Sequence, residues 1–241
     1  MAWSVSAGRL DADVAGLLTA VRGGKRAASP YHLLAVPCSA ADQLACATTY
    51  IARTIPPVAP PLWAGERYSH ERIRIAYLTS DLRHHAVASL VVGLFEAHDK
   101  TRFETTAIVF GPGDDSDIRR RALQSFDRVI DADAWSEQQI AETIRTLEID
   151  IAVDLMGFTA GCRPVVLAQR PAPVQVNYLG YPGTMGVGFM DYLIADATAL
   201  ATSVRRAGMP DARPPAPVIA IDQASKLLVH NLMYIHQHLL L

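Results

Sequence analysis

Between residues 71 and 196 the chain alternates short β-branched apolar runs with helix-patterned ones, and few folds accept that rhythm. RIRIAYLTSD (72–81), FETTAIVFG (103–111), RVID (128–131), DIAVDLMG (150–157), VQVNYL (174–179) and DYLIAD (191–196) read as strands. AVASLVVGLFEAHD (86–99), DSDIRRRALQSF (115–126), SEQQIAETIRTLEI (136–149) and GCRPVVLAQR (161–170) read as helices. The third of these opens on a capping box of Ser136 and Gln139, which satisfies two orphan amides reciprocally. Strands separated by helices demand right-handed crossovers, so the predicted class is α/β: a Rossmann-like, mostly parallel sheet with helices on both faces.

The flanks follow other rules. Residues 1–28, rich in Ala, Gly and Arg, read as a flexible N-terminal segment that ends in RGGKRAAS. Residues 29–70 read as a helical and Pro-rich lead-in. A helix over 39–54, capped by Ser39, is stopped by four prolines within 56–61, which favour a stiff extended connector. The Rossmann-like lobe is assigned to 71–200. Residues 201–241 break the pattern, with four prolines between 210 and 217 and a histidine-interrupted apolar end. They read as a divergent tail, disordered or a terminal helix.

Composition narrows the function. Hydrophobic residues make up 50% and charged residues 19%, with a formal net charge of -2, so there is no basic field for nucleic acid. Cys38, Cys46 and Cys162 have neither CxxC spacing nor an even count, which disfavours a zinc site or disulfide framework and suits a reducing compartment. No apolar run reaches the ~18 residues of a membrane span, and the start lacks the layout of a secretory signal. A cytoplasmic protein with no membrane or nucleic-acid partner is expected.

In open α/β sheets ligands bind beyond the carboxyl ends of the strands. After the first strand comes SDLRHH (80–85). Asp81 and His85 have the chemistry to act on a hydroxyl, although these residues alone favour Asp81 as a plain helix cap beside two surface histidines. After the fourth comes DLMGFTAGCR, where Gly157 and Gly161 allow close backbone approach, amides near Gly161 open a helix, and Arg163 offers a fork for phosphate. An ordinary loop with a solvated arginine is the alternative. After the fifth comes LGYPGTMGVG (179–188), with amides of Gly180 and Gly183 to donate and the face of Tyr181 for a sugar ring; an extended turn is the bland reading. Neither GxGxxG nor a Walker A sequence is present, which disfavours an independent dinucleotide-binding domain.

Together, RIAYLTSD–LRHH, DLMGFT–GCR and RPAPVQVNYLGYPGT–GVGFMDYLIAD resemble, in order and spacing, the first catalytic lobe of protein O-GlcNAc transferases and their SPINDLY-like relatives. The resemblance covers roughly residues 30 to 197. It implies one lobe of a two-lobed GT-B glycosyltransferase that moves N-acetylglucosamine from UDP-GlcNAc to a protein Ser or Thr with inversion and without metal or cofactor. Fucose is an alternative donor sugar among the SPINDLY-like relatives. By position, Asp81 and His85 are implied as acceptor-side base or proton relay and active-site histidine. Arg163, Leu179, Gly180, Tyr181, Pro182 and Gly183 are implied as donor-binding. Pro171 and Pro173 would then fix the start of the fifth strand while Gly180 and Gly183 let backbone close on the sugar.

The sequence departs from the family with His84 before the active-site histidine and Leu82 after SD. Soon after DYLIADATAL the resemblance stops, so the lobe that supplies a lysine and most contacts to UDP is expected to be missing. Because a UDP leaving group needs cationic or donor groups on its diphosphate, the chain alone is expected to be inactive, a truncated lobe acting at most as a binding or assembly module.

Overall fold

The computed structural model describes residues 7–56, 60–196 and 218–221. Three helices lead in: α1 (Ala7–Arg22), α2 (Pro30–Leu33) and α3 (Ala40–Thr54). An alternating block follows: β1 (Ile73–Thr79), α4 (Ala86–Glu96), β2 (Phe103–Val109), α5 (Asp117–Gln124), β3 (Arg128–Asp131), α6 (Glu137–Thr146), β4 (Ile151–Asp154), α7 (Pro164–Ala168), β5 (Val174–Tyr178) and β6 (Tyr192–Asp196). The last described strand is β7 (Val218–Ile221).

The strands form one seven-stranded sheet in the order β3-β2-β1-β4-β5-β6-β7, with every neighbouring pair parallel. The order reverses between β1 and β4, the switch point at which such sheets open a crevice at their carboxyl edge. Alternating side chains feed two cores. Ile75, Tyr77, Ile151, Val153 and Val176 pack with residues of α4 and α5 on one face. Ala76, Leu78, Ala152 and Ala47 pack with α6 and α7 on the other. The α/β class and the six strands read from the sequence are therefore observed, with some ends trimmed by up to three residues.

Two flank readings are corrected. Residues 7–22, expected to be flexible, form α1. Its Val21 is buried, and Arg22 holds Asp42 of α3 through two hydrogen bonds of 2.7 and 3.0 Å. The Arg22 guanidinium keeps the Asp42 carboxyl well below the usual carboxylate range. RGGK is the end of that helix rather than a linker, since the Gly23, Gly24 and Lys25 amides bond back to Thr19, Val21 and Ala20. Within 201–241, Val218–Ile221 extends the sheet by pairing with β6, where no strand was expected. The rest of that tail lies outside the described residues.

Residues 62–68 of the lead-in run along the amino edge of the sheet. Leu62 and Trp63 donate to the carbonyls of Gln169 and Arg170, and Arg145 of α6 reaches the Leu62 carbonyl, the Tyr68 hydroxyl and Glu66.

Candidate functional site

The carboxyl edge gathers around Ser80. This residue, just past β1, is wedged between loops that follow β2 and β4. A Cβ on Gly111 would lie 2.9 Å from Ser80 Cβ, and one on Gly161 would lie 3.1 Å from Ser80 Oγ. Ser80 Oγ donates to Asp81 Oδ1 at 3.3 Å and touches Met156 Sδ at 3.5 Å. Asp81 is buried, its amide held by Thr79 Oγ1 at 2.9 Å. Arg83 Nη2 lies 3.4 Å from Asp81 Oδ1, and His85 Nδ1 lies 3.7 Å from Asp81 Oδ2. The structure thus brings Asp81 and His85 together, as the sequence implied. It gives the capping role to His85, not Asp81, because His85 Nδ1 accepts the Val87 amide at the start of α4.

The loop after β2 and helix α5 brace this corner. The His84 amide donates to Asp114 Oδ2 at 2.7 Å, and Arg119 donates to the Leu82 carbonyl at 2.7 Å. Hydrogen bonds from Ser116 and from the His84 amide lower the Asp114 carboxyl to about 2.

On the other side of the crevice, Asp154 ends β4. Its oxygens accept the Met156 and Gly157 amides at 2.9 and 3.0 Å and Asn177 Nδ2 at 3.2 Å, which fixes the 155–161 loop. Burial raises the Asp154 carboxyl, and those donors oppose the shift. The neighbouring Cys162 thiol is pushed up to about 11, by burial first and Asp154 second, so it is a packing residue rather than a nucleophile.

Several residues implied as ligand contacts are engaged by the protein itself in this structure. The Arg163 fork is committed to protein: Nε to Glu137 Oε1 at 3.2 Å, Nη1 to the Ala132 carbonyl at 3.2 Å, and Nη2 to the Trp135 carbonyl. The helix after Gly161 begins with Pro164, which has no N–H to offer an anion, and spans five residues. The Gly180 amide is taken by the Tyr178 carbonyl at 2.9 Å. Tyr181 is 2% exposed and packs edge-to-face on Phe158, so its ring presents no face to a sugar. The glycines make room for that ring: a Cβ on Gly157 would fall 2.3 Å from Tyr181 Cβ, and one on Gly183 would fall 2.5 Å from its hydroxyl. From Tyr181 onward the loop is the crossover to β6, with Met185 and Val187 in the second core and Gly186 against Ala47 of α3. Leu179 and exposed Pro182 remain at the rim, and Leu179 holds a positive φ of 69°.

Sequence reasoning missed Arg83, although it stands inside SDLRHH. Its Nε is buried without a hydrogen-bond partner, and its 3.4 Å contact with Asp81 is long. A second hollow, about 300 Å³ and lined by Ser69, His70, Arg72, Arg74 and Glu104, lies at the opposite, amino edge. Among the described residues no helix is long and apolar enough to cross a membrane.

Residues 58–207 match the sequence model of Glycosyl transferase family 41. The chain belongs to that family. Among curated relatives, this family 41 chain is 30% identical over 177 residues to an Arabidopsis thaliana protein named probable UDP-N-acetylglucosamine–peptide N-acetylglucosaminyltransferase SEC, covering 69% of this chain and 18% of the other. The Caenorhabditis elegans UDP-N-acetylglucosamine–peptide N-acetylglucosaminyltransferase is 32% identical over 178 residues, 70% of this chain and 16% of that one. A mutant O-GlcNAc transferase of Thermobaculum terrenum has the same fold. Its TM-score is 0.64 at 24% identity, and the match covers 89% of this chain and 41% of that one. The family 41 chain therefore spans less than half of the solved relative and less than a fifth of these two curated ones.

Proposed function

We propose that the carboxyl edge of this sheet is the acceptor-side half of a glycosyltransferase site, which moves N-acetylglucosamine from UDP-GlcNAc to a protein Ser or Thr hydroxyl with inversion. The observation that carries this is the Asp81 carboxylate, buried at the switch point of a family 41 lobe. Ser80 and Arg83 hold its Oδ1, while Oδ2 faces His85. A carboxylate fixed through one oxygen keeps the other free to take a hydroxyl proton. As the hydroxyl oxygen bonds to the anomeric carbon, its proton passes to Asp81. The sugar–phosphate bond breaks with its electron pair on the diphosphate.

That departing charge requires cations or donors. At this edge Arg163 and Arg119 are already engaged by protein acceptors. Arg83 is the cation best placed to turn toward an anion. The reading therefore includes a second lobe that supplies the remaining contacts, and it needs no metal.

The test is transfer of radiolabelled N-acetylglucosamine to a permissive peptide, by residues 1–241 alone and with a separately expressed second lobe of a family 41 relative. The expected result is no turnover alone and turnover on complementation, reduced at least ~10²-fold by Asp81→Asn. Unaided transfer at the complemented rate removes the two-lobe requirement, and an unchanged rate in Asp81→Asn removes Asp81 from the chemistry.

A further inference from the structure

His85 and Asp81 lie side by side, yet the backbone decides which of them can accept a proton. His85 occupies the N-cap of α4 with extended backbone (φ -145°, ψ 152°), and its Nδ1 accepts the Val87 amide at 3.2 Å. A ring nitrogen that accepts an N–H carries a lone pair, so the proton of the neutral ring is on Nε2. The competing arrangement protonates Nδ1 and turns it on Asp81 Oδ2, 3.7 Å away. One nitrogen cannot do both.

The cap is the closer contact. Val87 is buried, and its amide belongs to the first helical turn, where no carbonyl within the helix is available to it. Losing the cap would orphan that amide, whereas Asp81 already has Ser80 and Arg83 as partners. In a serine-protease triad a carboxylate fixes Nδ1–H and leaves Nε2 basic; the helix start fixes the reverse here.

We propose that His85 is locked as the Nε2–H tautomer and serves as a hydrogen-bond donor to a substrate oxygen, leaving proton acceptance to Asp81. The inference rests on the glycosyltransferase-site reading above and assigns roles within it. His85 keeps its proton throughout and drops out of the proton balance.

The experiment is nitrogen-15 correlation of the histidine side chains in the 241-residue chain, with His85 signals assigned by their loss in His85→Asn. Asparagine also caps helices, so that variant retains slow exchange of the Val87 amide. The expected spectrum has a protonated Nε2 and an unprotonated Nδ1. Adding UDP-N-acetylglucosamine together with the separately expressed second lobe shifts Nε2 while Nδ1 and the Val87 amide stay in place, a response that a purely structural cap would not give. A protonated Nδ1 overturns the inference and leaves the glycosyltransferase-site reading standing. So does an Nε2 signal that ignores the nucleotide sugar while other residues of the carboxyl edge respond. If the nucleotide sugar moves no resonance of the chain even with the second lobe present, the glycosyltransferase-site reading fails and the inference falls with it.

Discussion

At Gly180 the chain passes so close to the end of β4 that an added Cβ would lie 1.9 Å from the Leu155 carbonyl oxygen. The obstacle is backbone, which cannot rotate aside as a side chain can. Gly180→Ala is therefore expected to pry β5 from β4 and cost about 1–3 kcal/mol, measured as a fall in the urea midpoint at constant m-value. Arg163 predicts a different outcome from the one its position in the sequence suggests. Its side chain is 16% exposed, and its removal strands the Ala132 and Trp135 carbonyls. Arg163→Ala should lose about 1–3 kcal/mol of stability while changing UDP-GlcNAc affinity by less than about twofold, read by calorimetry. Nothing local in GCRP reveals this, because the partners of the fork lie 26 to 31 residues away. Arg83 was overlooked for the opposite reason: it sits between an acid and two histidines that draw the eye first.

Elements whose signals are local were legible. The capping box at Ser136 and the cap at Ser39 are present as read, because their bonds close within four residues, and Asp42 makes the Ser39 cap a box as well. Ser136→Ala should cost about 1 kcal/mol by frayed α6, visible as faster exchange of the Gln139 amide. Elements that depend on distant partners were not legible. Helix α1 is pinned by Arg22 to Asp42, 20 residues on, and β7 is four residues long within a proline-rich stretch that reads as tail. The start of β5 is held by long-range bonds too. Arg170 donates to the carbonyls of Phe189 and Pro173 and to Asp191, while Asp191 accepts the Gln175 amide and Gln175 Nε2 donates to the carbonyls of Leu167 and Phe189. Lysine cannot span such a fan of acceptors, so Arg170→Lys is expected to lower the urea midpoint by the equivalent of about 1–3 kcal/mol.

Across the whole molecule, acid stability turns on a residue far from the crevice. His98 is buried against Tyr77, whose hydroxyl lies 2.8 Å from His98 Nε2, and burial aided by Lys100 lowers the ring from 6.5 to about 4. Well above pH 6.5 the ring is neutral folded and unfolded alike. Between about 6.5 and about 4 the unfolded chain binds a proton that the folded chain refuses, so stability falls as pH falls, by about 3 kcal/mol in all. Urea midpoints measured across that interval should trace the loss, and His98→Gln should flatten it. The β5 clamp has a further consequence. Arg170, Gln175 and Asp191, among the residues by which RPAPVQ and MDY mark a chain as kin to this family, join the amino ends of β5 and β6, at the edge opposite Asp81. They are masonry, and a polypeptide that kept the masonry after its chemistry had lapsed would still carry the lineage's signature.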